Sequence, residues 1–232
     1  MKDLQGAIRE EQSYIADRMQ NINTNLTERL MQHGYSDLKE YFDEKKKYLL
    51  SRWTPKVYYG DEDFIDTQLE QNIKNGADGI YIFTPKCEYY AFHGNDEIDY
   101  DECAELGVRP LEVYYRGGTI IGSKDDLGIL LVIPKDISLT SDDIMKKVIE
   151  IVHTDCPEAI RSGNDILVDG DKVMGCMERN VGNHFIWAAQ FSFADHSELI
   201  SKICKKEQKK KPSTFRGLTK DKLVREVLEW LL

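Results

Sequence analysis

Long apolar runs are missing from this sequence. No stretch approaches the roughly 20 residues a membrane-spanning helix needs, and Met1-Lys2-Asp3-Leu4-Gln5 turns acidic at once instead of entering the apolar core of a signal peptide. A cytoplasmic protein without a membrane partner is expected. Basic charge is also in short supply: 31 Lys and Arg face 41 Asp and Glu, a net charge of −10. Such a chain has no general attraction for phosphate backbones or anionic lipid, so nucleic-acid binding is not expected either. Paired cysteines are lacking. Cys87, Cys103, Cys156, Cys176 and Cys204 are odd in number and widely spaced, with no CxxC and no histidine at zinc-ligand spacing, and they read as reduced thiols. His93, His153, His184 and His196 likewise show no metal-ligand spacing. With only 16 glycines and 6 prolines, the chain is neither a disordered tail nor a fibrous repeat.

What is present is enough for a substantial core: 232 residues, 41% of them hydrophobic. Up to about Leu50 the chain is nearly free of Pro and Gly. Ile15, Met19, Ile22, Leu26 and Leu30 fall on one helical stripe, which fits packing on the rest of the chain or self-association through the N-terminal helices. His33-Gly34 reads as a helix stop and Ser36 as the cap of a second helix to Leu49. Trp53-Thr54-Pro55 breaks the pattern, and a boundary follows: a helical extension over 1–55 and a second domain over 56–232.

In that second domain a helix is expected around Phe64 to Ile73, then strands at Gly79–Phe83, Glu88–Phe92, Leu111–Tyr115 and Gly128–Ile133. A helix over Ser141–Val152 carries a capping box, Thr140 with Asp143, and buries Ile144, Val148 and Ile151. Strands Asp165–Val168 and Lys172–Glu178 flank the turn Asp169-Gly170-Asp171, and His184–Phe193 adds another, with Trp187 and Phe191 in the core. Two helices close the sequence, Asp195–Lys206 and Thr219–Leu231. The fold class is α+β, a mixed and largely antiparallel sheet with packed helices.

Two constellations carry chemistry. In Asn164-Asp165-Ile166-Leu167-Val168-Asp169-Gly170-Asp171-Lys172-Val173-Met174-Gly175, a lysine opens a strand just before a glycine. It can aim its ammonium over the sheet as a point charge for a carboxylate or phosphate, although a surface hairpin lysine has the same spacing. In Arg116-Gly117-Gly118-Thr119, adjacent glycines between two strands allow close backbone approach to an anion, with Arg116 as a bidentate partner, or else form an ordinary turn.

In this order, the two constellations resemble the lipoate/biotin protein ligase catalytic-domain family, which includes octanoyl transferases; the likeness covers roughly residues 60 to 218. Gly117-Gly118-Thr119 through Asp126-Leu127 to Pro134 is similar to the family's Gly-rich loop and following strand. Asn164-Asp165 through Lys172-Val173-Met174-Gly175 is similar to its Asn-Asp strand, turn and Lys-Val-x-Gly. Weaker similarities lie at His93-Gly94-Asn95, Cys103 to Val108 and Lys211 to Leu218.

The resemblance implies that a lipoyl, octanoyl or biotinyl group is activated with ATP as an acyl-adenylate and passed to a lysine of an acceptor or acyl-carrier domain. It implies that Lys172 contacts the acyl carboxylate and the phosphate, and that Asn164 and Asp165 orient the nucleotide, with Asp165 also holding Mg²⁺. Arg116, Gly117, Gly118, Thr119 and Gly175 would complete the binding site. The sequence departs from the lipoate-type pattern in having Glu112-Val113 for an Arg-Arg pair and Arg116-Gly117-Gly118 for three glycines. A second expectation follows from the resemblance to one class of octanoyl transferase, whose nucleophilic cysteine lies shortly before the matching strand: Cys156, activated by Lys172, would accept the acyl group, or else it is a structural, inert thiol. A third is a non-catalytic binding module assembling through the N-terminal helices. Lys205, Lys206, Lys209, Lys210 and Lys211 form a basic patch suited to an acidic carrier or simply to solvent.

Overall fold

The computed structural model describes residues 31, 34, 38–64, 70–93, 98–112, 119–205 and 211–232. The stripe from Ile15 to Leu30, His33 and Ser36 lie outside them. The chain divides into two compact units, Met1–Arg52 and Trp53–Leu232. Within the first, helix α1 (Leu38–Arg52) exposes Phe42 and Tyr48. Among the described residues no helix is long and apolar enough to cross a membrane.

The second unit starts at Trp53, a buried residue whose indole donates to Asp78 at 2.8 Å. Among the described residues its strands are β1 (Lys56–Gly60), β2 (Gly79–Phe83), β3 (Tyr89–His93), β4 (Val108–Glu112), β5 (Ile120–Ser123), β6 (Leu127–Pro134), β7 (Ile160–Ser162), β8 (Asp165–Val168), β9 (Asp171–Val181) and β10 (His184–Phe191). Seven of them form one sheet in the order β1-β2-β6-β10-β9-β8-β7, in which only β1 and β2 run parallel. The other three form a smaller sheet, β4-β3-β5. The α+β class and the antiparallel bias hold, with the strands distributed between two sheets rather than one.

The helices of this unit are α2 (Glu70–Lys74), α3 (Tyr100–Glu105), α4 (Ser141–His153), α5 (Ser197–Ile203) and α6 (Lys220–Leu231); a single helical turn spans Glu62–Phe64. Helix α4 begins where the sequence places it, because the Thr140 hydroxyl accepts from the Asp143 N–H while the Asp143 carboxylate accepts from the Thr140 N–H. It buries Ile144, Met145, Val148, Ile151 and Val152, and contacts α6, which buries Leu223, Val227 and Leu231. The Cys176 thiol meets the Met145 sulfur at 3.5 Å, so α4 covers the sheet face that Cys176 points to. The smaller sheet meets the opposite face at Phe83, whose ring packs 5.3 Å from Tyr90 and 5.5 Å from Phe92.

Candidate active site on the open face of the large sheet

The turn that presents Lys172 is a two-residue loop, Asp169-Gly170, both with positive φ (54° and 87°). That is the I′ geometry that matches strand twist, which explains an Asp-Gly pair between two apolar runs. Just beyond it the β8–β9 register shifts: Ile166 pairs with Met174 but Leu167 pairs with Lys172, leaving Val173 extra. A bulge of this kind breaks the alternation of faces and turns Lys172 over Gly175. The Lys172 ammonium sits 2.9 Å from Asp165, which lies directly opposite Gly175.

Glycine is required at 175 for this arrangement. A Cβ there would lie 2.5 Å from Lys172 Nζ and 2.6 Å from its Cε. The backbone of Lys172 is pinned as well, its N–H donating to the Lys211 carbonyl at 2.7 Å and its carbonyl accepting from Ser213 N–H at 2.8 Å. The segment after the lysine-rich stretch thus continues the sheet beside Lys172.

Residues paired directly across a ladder share a face. The row through Gly175 therefore reads Phe83, Gly128, Gln190, Gly175, Asp165, and the next reads Tyr81, Leu130, Ala188, Met177. Beyond that come Val132 and Ile186, both buried. Leu130, Ala188 and Met177 are only half-buried. The result is a cation held by one carboxylate at the edge of a half-open apolar strip.

The remaining residues expected at the site are distributed as follows. Asn164 is exposed beside Asp165, and its carbonyl accepts from Cys176 N–H at 2.8 Å. Thr119 is buried at the entrance to β5, with no hydrogen-bond partner for its hydroxyl. Arg116, Gly117 and Gly118 lie outside the described residues. Among the described residues no three His, Cys, Asp or Glu side chains converge to hold a metal ion.

Cys156 is fully buried, and burial, helped by the Glu158 carboxylate, pushes its thiol up to about 11. Lys172 directs its ammonium to Asp165. A nucleophilic thiolate needs the opposite environment, exposed and electropositive. Of the two readings of Cys156, this environment fits the structural thiol, with Lys172 held at Asp165.

Two buried polar pairings escaped the sequence reading. Gln190 donates from its amide to the Tyr90 hydroxyl at 2.5 Å, both over Gly122. Asp126 accepts from Ser123 N–H at 2.7 Å, Phe193 N–H at 2.6 Å, Ala194 N–H at 3.1 Å and His196 Nε2 at 2.5 Å. Neither pair has a sequence signal, since the partners are far apart in the chain, although a lone Gln in the apolar strand His184–Phe191 is a hint.

No protein-family model and no curated protein matches the sequence. Solved structures do match the fold. LipL1 of P. falciparum in complex with lipoate superposes with a TM-score of 0.61 at 12% identity, over 76% of this chain and 61% of that one. Lipoate-protein ligase A bound with ATP gives 0.60 at 13% identity, over 76% and 83%. A bipartite lipoate protein ligase of Thermoplasma acidophilum, described with its E2 lipoyl domain, gives 0.59 at 13%, over 77% and 82%. The second unit has the fold of the lipoate-protein ligases. The chain spans under two thirds of the P. falciparum protein's length.

Proposed function

We propose that this protein is an acyl transferase of the lipoate-protein ligase type, which binds a carboxylic acid with an apolar chain, activates its carboxyl with ATP and transfers the acyl group to a lysine amine of a carrier domain. The observation that carries the proposal is the Lys172 ammonium, fixed over Gly175 by Asp165 at the end of the strip Leu130, Ala188, Met177. A cation beside an apolar floor is complementary to an acid whose carboxylate and chain need opposite environments. Lys172 acts by charge, offsetting negative charge as the carboxylate approaches the phosphate, and no proton transfer is asked of it.

ATP, when bound, supplies the leaving group that makes the carboxyl carbon reactive. Lys172 and Asn164 are the residues to hold its phosphates. Asp165 offers a single carboxylate, which suits Mg²⁺ because that ion takes one or two carboxylates and fills its shell from phosphates and water. The lipoyl domain named with the T. acidophilum ligase supports a carrier domain as acceptor.

The test is transfer of octanoate or lipoate to a lipoyl-domain acceptor with ATP and Mg²⁺, followed by mass spectrometry. Lys172→Ala is expected to reduce transfer by at least about 100-fold, the scale of losing a charge-stabilising group, with a thermal midpoint within about 2 °C of the parent because Lys172 is partly exposed and packs little. Undiminished transfer by the variant, or no transfer by the parent with any acid, overturns the proposal.

A further inference from the structure

Three glycines face the space between the two sheets near Lys172, and the chain's own side chains already fill the room each one leaves. A Cβ on Gly122 would lie 2.2 Å from the Tyr90 hydroxyl and 2.4 Å from Gln190 Nε2. One on Gly128 would lie 3.0 Å from Phe83 Cβ, and Lys172 occupies the place above Gly175. Gln190 and Tyr90 are 4% and 0% exposed and hydrogen-bonded to each other, so they form a closed wall along the row Phe83, Gln190. Beyond the strip the same sheet face continues into Val132 and Ile186, buried with Tyr81, and Leu130 and Met177 pack against that cluster. The strip Leu130, Ala188, Met177 thus runs beside the Gln190–Tyr90 wall, with rows about 7 Å apart by strand geometry.

Resting on the functional reading above, we infer that the acid bound at Lys172 is a slim, unbranched aliphatic acid, and that the Gln190–Tyr90 pair is the specificity determinant that excludes a ring at its far end. A methylene chain lies along Ala188 with its carboxylate on Lys172. A dithiolane or bicyclic ring is wider than the chain, and to be enclosed it must enter beneath the smaller sheet, where Tyr90, Gln190 and Phe83 already sit. Close-packed interiors do not yield such volume without strain.

Octanoate and lipoate separate the possibilities, because they share a carbon chain and differ by the ring. Calorimetric titration of the full chain with each acid, alone and with ATP and Mg²⁺, is expected to show octanoate binding at least about tenfold tighter than lipoate, the scale on which a pocket discriminates by one or two carbon-sized groups. Gln190→Ala, which opens the wall, is expected to narrow that ratio in favour of lipoate. Lipoate bound by the parent as tightly as octanoate, or more tightly, overturns the inference and leaves the acyl-transferase reading standing. If neither acid binds under any condition, the reading itself fails. The comparison on the parent protein decides the matter even where the variant does not fold.

Discussion

Gly175 is the residue on which the candidate site turns. It is buried in β9, where a side chain ordinarily strengthens a strand, and its lack of one is explained by the Lys172 side chain lying across it. Gly175→Ala places a methyl on Lys172 Nζ and Cε, the free end of a flexible chain, so the lysine can swing aside at small cost in stability. The ammonium then leaves its position. Acid affinity is expected to fall about tenfold to a hundredfold, corresponding to the 1.5–3 kcal/mol of a charge-assisted hydrogen bond. The thermal midpoint should move by less than about 2 °C, and parallel calorimetric titrations and melts check both. The Lys172 position was legible in the sequence through the Asn-Asp, turn, Lys-Val-x-Gly spacing. The reason for the glycine was not, because the bulge at Val173 that turns Lys172 over it leaves no mark on the apolar pattern.

At the scale of elements, helix α4 shows how local signals suffice when they agree. Propensity, the Thr140–Asp143 box and the spacing of Ile144, Val148 and Ile151 all define the same helix, found at Ser141–His153. Thr140→Ala removes one half of the box and is expected to cost about 1 kcal/mol, which corresponds to about 2–4 °C in a chain of this size. Thermal unfolding of the variant measures it, and a shift under 1 °C would count against the cap. Strands β2 and β8 match expectation residue for residue; β4, at Val108–Glu112, begins before the strand expected at Leu111–Tyr115, of which residues 113–115 lie outside the described residues. Pro110 sits inside β4, which pairs with β3 at the edge of the smaller sheet, where a missing N–H is tolerated. Strand β7, three residues with Ile160 exposed, carries no periodicity to detect.

At the scale of the whole molecule, Asp126 joins the two sheets. It sits in the turn between β5 of the smaller sheet and β6 of the larger, and holds the backbone leaving β10 together with His196. Both side chains are at most 3% exposed. Asp126→Asn turns an amide N–H₂ toward groups that are themselves donors, whichever way it rotates, and is expected to cost about 3–5 kcal/mol. That is a fall of about 10 °C or more in thermal midpoint, and a melt within 2 °C of the parent would show that another contact carries the junction. This joint was invisible in the sequence because its partners are 67 to 70 residues apart, and a buried carboxylate in a turn reads as an ordinary polar loop residue. The general architecture was legible because strand and helix periods are local, and its junctions were not because they are long-range.

The sheet order also sets a timetable for synthesis. The central pairing, β6 with β10, unites residues 127–134 with 184–191. A nascent chain therefore carries β6 with one unpaired edge while the next fifty or so residues are still being made, a span of several seconds at about 5–20 residues per second. Lys172 waits longer still, since the carbonyl that receives its N–H belongs to Lys211. Assembly of the acid-binding corner is thus among the last events of folding on the ribosome, and a chain arrested before residue 211 should have most of its strands but no fixed ammonium.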